Sequence, residues 1–80
     1  MTLDSVYRHG RKSLEEAGIP DADFDSLCLL ERFFEADRTQ LILHGDKTAD
    51  TEMCRLFFEA IEKRKTGMPL QYIVGKWNFK

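Results

Sequence analysis

The sequence predicts an all-α protein: a small bundle of four to five helices, with a C-terminal strand fragment leading to a missing domain. Two patterns support this class. Apolar residues recur every three or four positions over most of the chain, which is the spacing of one buried helix face. Glycine and proline interrupt that spacing where helices would end. The length of 80 residues suits a single small domain.

The first two predicted helices occupy the first part of the chain. Thr2 is suited to cap the first helix, and Gly18 followed by Pro20 predicts its end. The second helix is expected to begin near "PDADFD" and to run through "SLCLLERFFEA". Its apolar stripe includes Phe24 and Leu30, and further apolar residues widen the stripe to a near-continuous girdle. We therefore expect this helix to lie at the centre of the core.

Two more helices are predicted in the middle of the chain. Thr39 is suited to cap the short helix "QLILH", which Gly45 ends. Asp50 or Thr48 is expected to cap the fourth helix, which has the clearest helical period. Its predicted core face consists of Met53, Leu56, Phe57, Ala60, Ile61 and Arg64.

The period of the sequence changes near its end. Gly67 ends the fourth helix, and Pro69 is placed as the first residue of a short fifth helix, "PLQYIV", which Gly75 stops. In "KWNFK" the aromatic residues Trp77 and Phe79 alternate with polar ones, which is the period of a strand. No earlier segment is predicted to pair with this strand, so we expect its partner to lie beyond the chain.

Composition excludes several classes of function. The net charge of −2 gives no general attraction to nucleic acid. Two basic clusters are interpreted as solvent-exposed helix faces: Arg8, His9, Arg11 and Lys12, and Lys63, Arg64 and Lys65. No segment resembles a membrane helix or a signal peptide, so a cytoplasmic protein is predicted. Cys28 and Cys54 lack the spacing of a metal site or of a disulfide, and no metal is predicted.

Motifs of catalysis are missing as well. The chain contains no glycine-rich phosphate loop, no HExxH and no GxSxG. The acidic runs "DADFD" and "HGDKTADTE" are interpreted as helix-start chemistry rather than as acid–base catalysis. The residues alone thus predict a helical domain with a binding or a structural role.

One stretch carries a specific resemblance. "RKTGMPLQYIVGKWNF", residues 64 to 79, resembles the signature at the end of the amino-terminal domain of the HemK/PrmC family, the release-factor glutamine methyltransferases. The matching positions are Arg64, Gly67, Pro69, the run "LQYI", Gly75 and Phe79. Upstream, "DSLCLL" from Asp25 resembles the family's Asp-Ala-x-x-Leu-Leu helix with Ser26 in place of Ala, and "RTQL" resembles its short third helix.

This resemblance implies a division of the protein into parts. Residues 1–75 would form the helical domain, and residues 76–80 would begin an interdomain β-hairpin linker to a Rossmann-like catalytic domain. The parent enzyme would transfer a methyl group from S-adenosylmethionine to the glutamine of the release factor's Gly-Gly-Gln motif. The family's Asn-Pro-Pro-Tyr motif and glycine-rich cofactor loop do not occur in this sequence. No catalytic, cofactor-binding or metal residue is therefore assigned here, and the chain alone is expected not to be an enzyme.

The resemblance also implies partners, namely the peptide chain release factor and the protein's own catalytic domain, with no direct contact to nucleic acid. The residues expected to contribute to interdomain or partner contacts are Arg64, Gly67, Pro69, Gln71, Tyr72, Gly75, Trp77 and Phe79. For Arg64, we expect the stem to pack and the guanidinium to pair with a carboxylate or carbonyl near the hinge.

Two other functions are considered from the residues alone. A stand-alone helical adaptor would bind a protein through the "VGKWNFK" edge by strand addition. A compact DNA-binding bundle is the third possibility, and the acidic composition argues against it.

Overall fold

A computed structural model describes residues 1–73 and contains five helices in that range. They are α1 (Leu3–Glu16), α2 (Ala22–Phe34), α3 (Arg38–His44), α4 (Thr51–Lys65) and α5 (Leu70–Ile73). The predicted all-α class, with four main helices and a short fifth, is confirmed. The predicted strand fragment, residues 76–80, lies outside the described residues.

The core lies where α1, α2 and α4 pack against one another. Its largest fully buried apolar side chains come from these three helices: Val6, Leu14, Leu29, Leu30, Phe57 and Ile61. Each such side chain contributes about 1.5 to 3 kcal/mol when it leaves water completely. The helical period of α4 predicted the direction of its inner face: of the six predicted residues, Phe57, Ala60 and Ile61 are buried, and the other three are half-buried.

The helices α1 and α4 approach closely at Gly10. A Cβ atom at this position would lie 2.7 Å from the ring of Phe57 and 3.1 Å from Cδ1 of Ile61. Glycine weakens a helix interior by roughly 0.5–1 kcal/mol relative to alanine. Here that cost is offset because the missing side chain lets the ring of Phe57 sit directly on the α1 backbone.

The packing of α2 differs from the prediction. Phe24 is 63% exposed, although the sequence pattern placed it in the apolar stripe of the core. The inward positions of this helix include the polar residues Asp25 and Ser26. Helix α2 buries one face against α1 and α4 rather than being surrounded. The girdle interpretation was wrong because the apolar residues do not bury all sides of α2: Leu29 and Leu30 are fully buried, whereas Leu27, Cys28 and Phe33 are only half-buried.

Short-range hydrogen bonds define where the helices begin. Thr2 caps α1 with its side chain, as predicted, and of the two candidates for α4 it is Asp50 rather than Thr48 that caps the helix. Asp37, not Thr39, caps α3: its carboxylate accepts a hydrogen bond from the Gln40 amide at 2.9 Å. Thr39 lies within the first turn of that helix, so it cannot act as its cap.

The loop between α3 and α4 is fixed to the start of the chain. The amides of Leu3 and Asp4 donate to the carbonyls of Lys47 and Gly45, each at 2.9 Å. The amide of Ala49 donates to the carbonyl of Met1 at 2.8 Å. These bonds satisfy two of the free amides at the start of α1 and hold α3 beside it.

Candidate interdomain site

The predicted site residues that the structure describes lie along the C-terminal end of α4, the turn after it and α5. Arg64 belongs to α4, Gly67 and Pro69 to the turn, and Gln71 and Tyr72 to α5. These five are therefore brought together in one region by their closeness in the chain. The other three predicted residues, Gly75, Trp77 and Phe79, lie outside the described residues.

Arg64 connects two separate parts of the molecule. Its Nε donates a hydrogen bond to Oδ2 of Asp25 on α2 at 2.8 Å, and its Nη1 donates to the carbonyl oxygen of Met68 at 3.2 Å. The side chain of Asp25 is only 6% exposed and that of Arg64 only 21%. The sequence predicted a carboxylate or a carbonyl as the acceptor, and the structure contains both.

The turn that follows α4 depends on a left-handed backbone. Gly67 has φ +96°, a region that residues with a Cβ atom rarely adopt. The amides of Thr66 and Gly67 donate to the carbonyls of Lys63 and Arg64, which closes the last turn of the helix. The Thr66 hydroxyl also donates to the Lys63 carbonyl at 2.6 Å. The prediction that Gly67 ends the helix is confirmed.

Helix α5 is one turn long and presents two different faces. Leu70 and Ile73 are partly buried and pack against the core cluster. Gln71 is exposed, and Tyr72 is 71% exposed. Pro69 directly precedes this helix, and its carbonyl accepts the Tyr72 amide at 3.0 Å. An exposed aromatic ring on a short outer helix is a feature typical of interaction surfaces.

The acidic segment at the start of α2 was only partly understood from sequence. Asp21 occupies the cap position but makes no side-chain cap bond. Asp23 instead accepts hydrogen bonds from the hydroxyl of Tyr7 and from Arg38, the latter at 2.8 Å. Asp25 pairs with Arg64. Two of the three carboxylates therefore join α2 to other helices, and sequence reasoning missed Asp25 as a site residue because its partner is 39 positions away.

The contacts around Asp23 shift two pKa values in opposite directions. Burial raises the pKa of Tyr7, and the hydrogen bond to Asp23 acts in the same direction. The hydrogen bond from Tyr7 lowers the pKa of Asp23, and the positive charge of Arg38 adds to this effect. At neutral pH the neutral phenol thus donates to an ionised carboxylate, which connects α1, α2 and α3.

The basic cluster of α1 borders an open groove of about 500 Å³ lined by Ser5, Arg8, His9, Lys12, Ser13 and Glu16. Arg8 pairs with Asp4 one turn earlier at 3.0 Å. Arg11 pairs with Glu15 at 3.7 Å. Local carboxylates therefore compensate much of this charge, which agrees with a solvent-exposed helix face. In the second basic cluster that interpretation was wrong for Arg64, which is turned toward Asp25.

Nothing in residues 1–73 suggests a metal centre, because no three His, Cys, Asp or Glu side chains in that range are grouped for one. Cys28 and Cys54 are free thiols. Burial raises the pKa of Cys28, so this thiol stays protonated at neutral pH. None of the described helices is long and apolar enough to span a membrane.

Comparison with known proteins places the chain in a family. The sequence model of the PrmC N-terminal domain matches residues 5–75. A release factor glutamine methyltransferase from Nitratidesulfovibrio vulgaris is 33% identical over 98% of this chain and 26% of its own length. Proteins of the same name from Deinococcus radiodurans and Koribacter versatilis are 28% and 30% identical, over 95% and 99% of this chain. No solved structure was found to match.

The chain spans about a quarter of the length of these relatives. The match to the family model includes α1 to α5 almost completely, and with them the Arg64–Asp25 pair and the turn at Gly67. The chain therefore belongs to the PrmC N-terminal domain family.

Proposed function

We propose that this chain is the helical domain of a release factor glutamine methyltransferase that helps to recognise the release factor and to position it for methylation. The observation that carries the proposal is the alignment of nearly the whole chain with about a quarter of relatives bearing that name. The reaction would be S-adenosylmethionine-dependent methylation of the glutamine in the release factor's Gly-Gly-Gln motif. A separate catalytic domain would perform it.

The chain by itself is proposed not to be an enzyme. Residues 1–73 form helices without a sheet, so that range offers no strand, glycine turn and helix of the kind that holds a nucleotide-like cofactor. The family's Asn-Pro-Pro-Tyr motif is absent from the sequence. We therefore assign no reaction step and no cofactor contact to any residue here.

We propose two partners for this chain: the catalytic domain and the release factor. The C-terminal region is the surface that we assign to the catalytic domain. The catalytic domain would contact the outer face of α5 through Gln71 and Tyr72, with Gly75, Trp77 and Phe79 continuing the contact. The exposed ring of Tyr72 supports this assignment. The release factor is the second partner, held by the bundle while the catalytic domain acts on its glutamine. Binding energy from contacts remote from the reacting groups can be used to orient a substrate for the reaction.

The test compares the full-length enzyme with its catalytic domain alone. We expect both to bind S-adenosylmethionine, and we expect removal of the helical domain to lower kcat/KM for release-factor methylation by about 10-fold or more, because positioning contributes strongly to rate. Calorimetry on the 80-residue chain should detect no binding of S-adenosylmethionine. Equal kcat/KM values with and without this domain would overturn the proposal and favour the stand-alone adaptor.

A further inference from the structure

The ion pair between Asp25 and Arg64 differs from the ion pairs on the surface. Its two side chains are 6% and 21% exposed. By contrast, Arg55 on the same helix pairs with Glu52 and Glu59 through side chains that are all more than half exposed. Exposed pairs of this kind contribute little to stability because water screens their charges. The buried pair requires another explanation.

Stability of the bundle does not by itself explain a buried pair. Removing one partner leaves an uncompensated charge and is strongly destabilising, yet replacing both partners with apolar residues is often neutral or stabilising. What apolar residues could not reproduce is the second bond of Arg64, from Nη1 to the Met68 carbonyl. The planar guanidinium holds its donors in fixed directions, so it ties the two acceptors in one geometry.

The Met68 carbonyl, the second acceptor of Arg64, lies at the junction between α4 and α5. Met68 belongs to the turn between α4 and α5, directly after Gly67 with its left-handed backbone. Helix α5 has only four residues and buries only parts of Leu70 and Ile73. A helix this short is not stable alone, so external contacts must set its direction. The bond from Arg64 is such a contact, and Asp25 holds Arg64 in place.

We propose that Asp25 and Arg64 are positioning residues: together with the Met68 carbonyl they form a clamp that sets the direction in which α5 leaves the bundle. Through α5 the clamp sets where the following catalytic domain sits relative to the helical domain. The second half of this inference rests on the proposed function. The first half concerns only residues 1–73 and can be tested without it.

The first experiment uses the 80-residue chain and the double variant Asp25→Leu/Arg64→Met. This variant removes both buried charges together, so the bundle should keep its unfolding midpoint, whereas either single variant could fail to fold. Residual dipolar couplings of the amides of residues 70–73 report the orientation of α5. We expect them to fit the alignment of the bundle in the wild type and to shrink strongly in the double variant. Arg55→Gln, on the same helix, should leave them unchanged.

The second experiment places the same variants in the full-length enzyme. We expect the double variant to lower kcat/KM for release-factor methylation by about 10- to 100-fold, because a small misplacement remote from the chemistry has effects of that size. Its affinity for S-adenosylmethionine should not change, since the clamp lies outside the catalytic domain. Arg55→Gln should retain wild-type activity.

The two experiments test separately whether the clamp orients α5 and whether it positions the catalytic domain. Unchanged couplings of residues 70–73 in the double variant would overturn the clamp, whatever the enzyme assays give. Reduced couplings with unchanged methylation would overturn its positioning role. If the wild-type full-length protein methylated no release factor, the proposed function would fail, while the couplings would still decide whether the clamp orients α5.

Discussion

Ser26 is fully buried on α2, and its hydroxyl has no hydrogen-bond partner among the described residues. An unpaired buried polar group costs about 1–3 kcal/mol. We expect Ser26→Ala to raise the free energy of unfolding by about 1 kcal/mol, measured by urea denaturation.

A control separates burial from helix propensity. Ser13→Ala, at a half-buried position of α1, makes the same chemical change and should raise stability by no more than about 0.5 kcal/mol. Equal gains from the two substitutions would show that the unpaired hydroxyl of Ser26 has no cost.

Asp23 makes stability depend on pH. Its pKa is lowered in the folded state, first by the Tyr7 hydrogen bond and then by Arg38, so the folded protein favours the ionised form. The stabilisation is complete above the unfolded pKa of about 3.9 and disappears as the pH falls through the lower folded value. When the free energy of unfolding is measured by urea denaturation at a series of pH values below about 4, we expect it to fall less steeply with decreasing pH in Asp23→Asn than in the wild type. Tyr7→Phe should weaken this pH dependence as well. If both variants lost stability in acid as steeply as the wild type, Asp23 would not be the source of the pH dependence.

At the level of single residues, the sequence predicted local roles better than distant ones. The caps Thr2 and Asp50 and the helix stop at Gly67 follow from neighbouring atoms, and they were predicted. Asp23 and Asp25 carry the same side chain two positions apart in the first turn of α2, and only the fold decides that one meets Tyr7 and the other Arg64. Such partners could not be predicted from spacing along the chain.

At the level of elements, the cap of α3 offers a clear comparison. Asp37 accepts the Gln40 amide, while Thr39 is exposed inside the first turn. We expect Asp37→Ala to lower the free energy of unfolding by about 1 kcal/mol. Thr39→Ala should change it by no more than about 0.5 kcal/mol. Chemical denaturation of the two variants measures the difference, and a larger loss from Thr39→Ala would restore the cap predicted from sequence.

Helix number and order followed from apolar spacing and from glycine and proline positions. The buried face of α2 could not be predicted in this way, because apolar residues occur on more than one side of this helix. Phe24 was placed in the core but is exposed, whereas Asp25 was interpreted only as helix-start chemistry and is buried. Asp25 can be buried because Arg64 brings a charge partner to the inner face of α2. The apolar period of a helix reports only where hydrophobic residues recur, so it cannot predict a buried ion pair.

On the scale of the whole molecule, the three long helices form a closed core, and α5 is an addition to it. The bundle buries its large apolar side chains between α1, α2 and α4 without help from Tyr72. The exposed ring of Tyr72 therefore contributes little to the isolated domain. Its contribution is expected only where a second domain covers it.

Tyr72 should consequently behave differently in the isolated chain and in the full-length enzyme. In the 80-residue chain, Tyr72→Ser should change the free energy of unfolding by no more than about 0.5 kcal/mol. In the full-length enzyme it should lower the temperature at which the helical domain unfolds, because burial of an aromatic ring between the domains is lost. Phe24→Ser, at a similarly exposed aromatic on α2, is the matched control and should have no such effect. Calorimetric scans of both proteins measure this, and equal shifts from the two variants would mean that α5 does not face the catalytic domain.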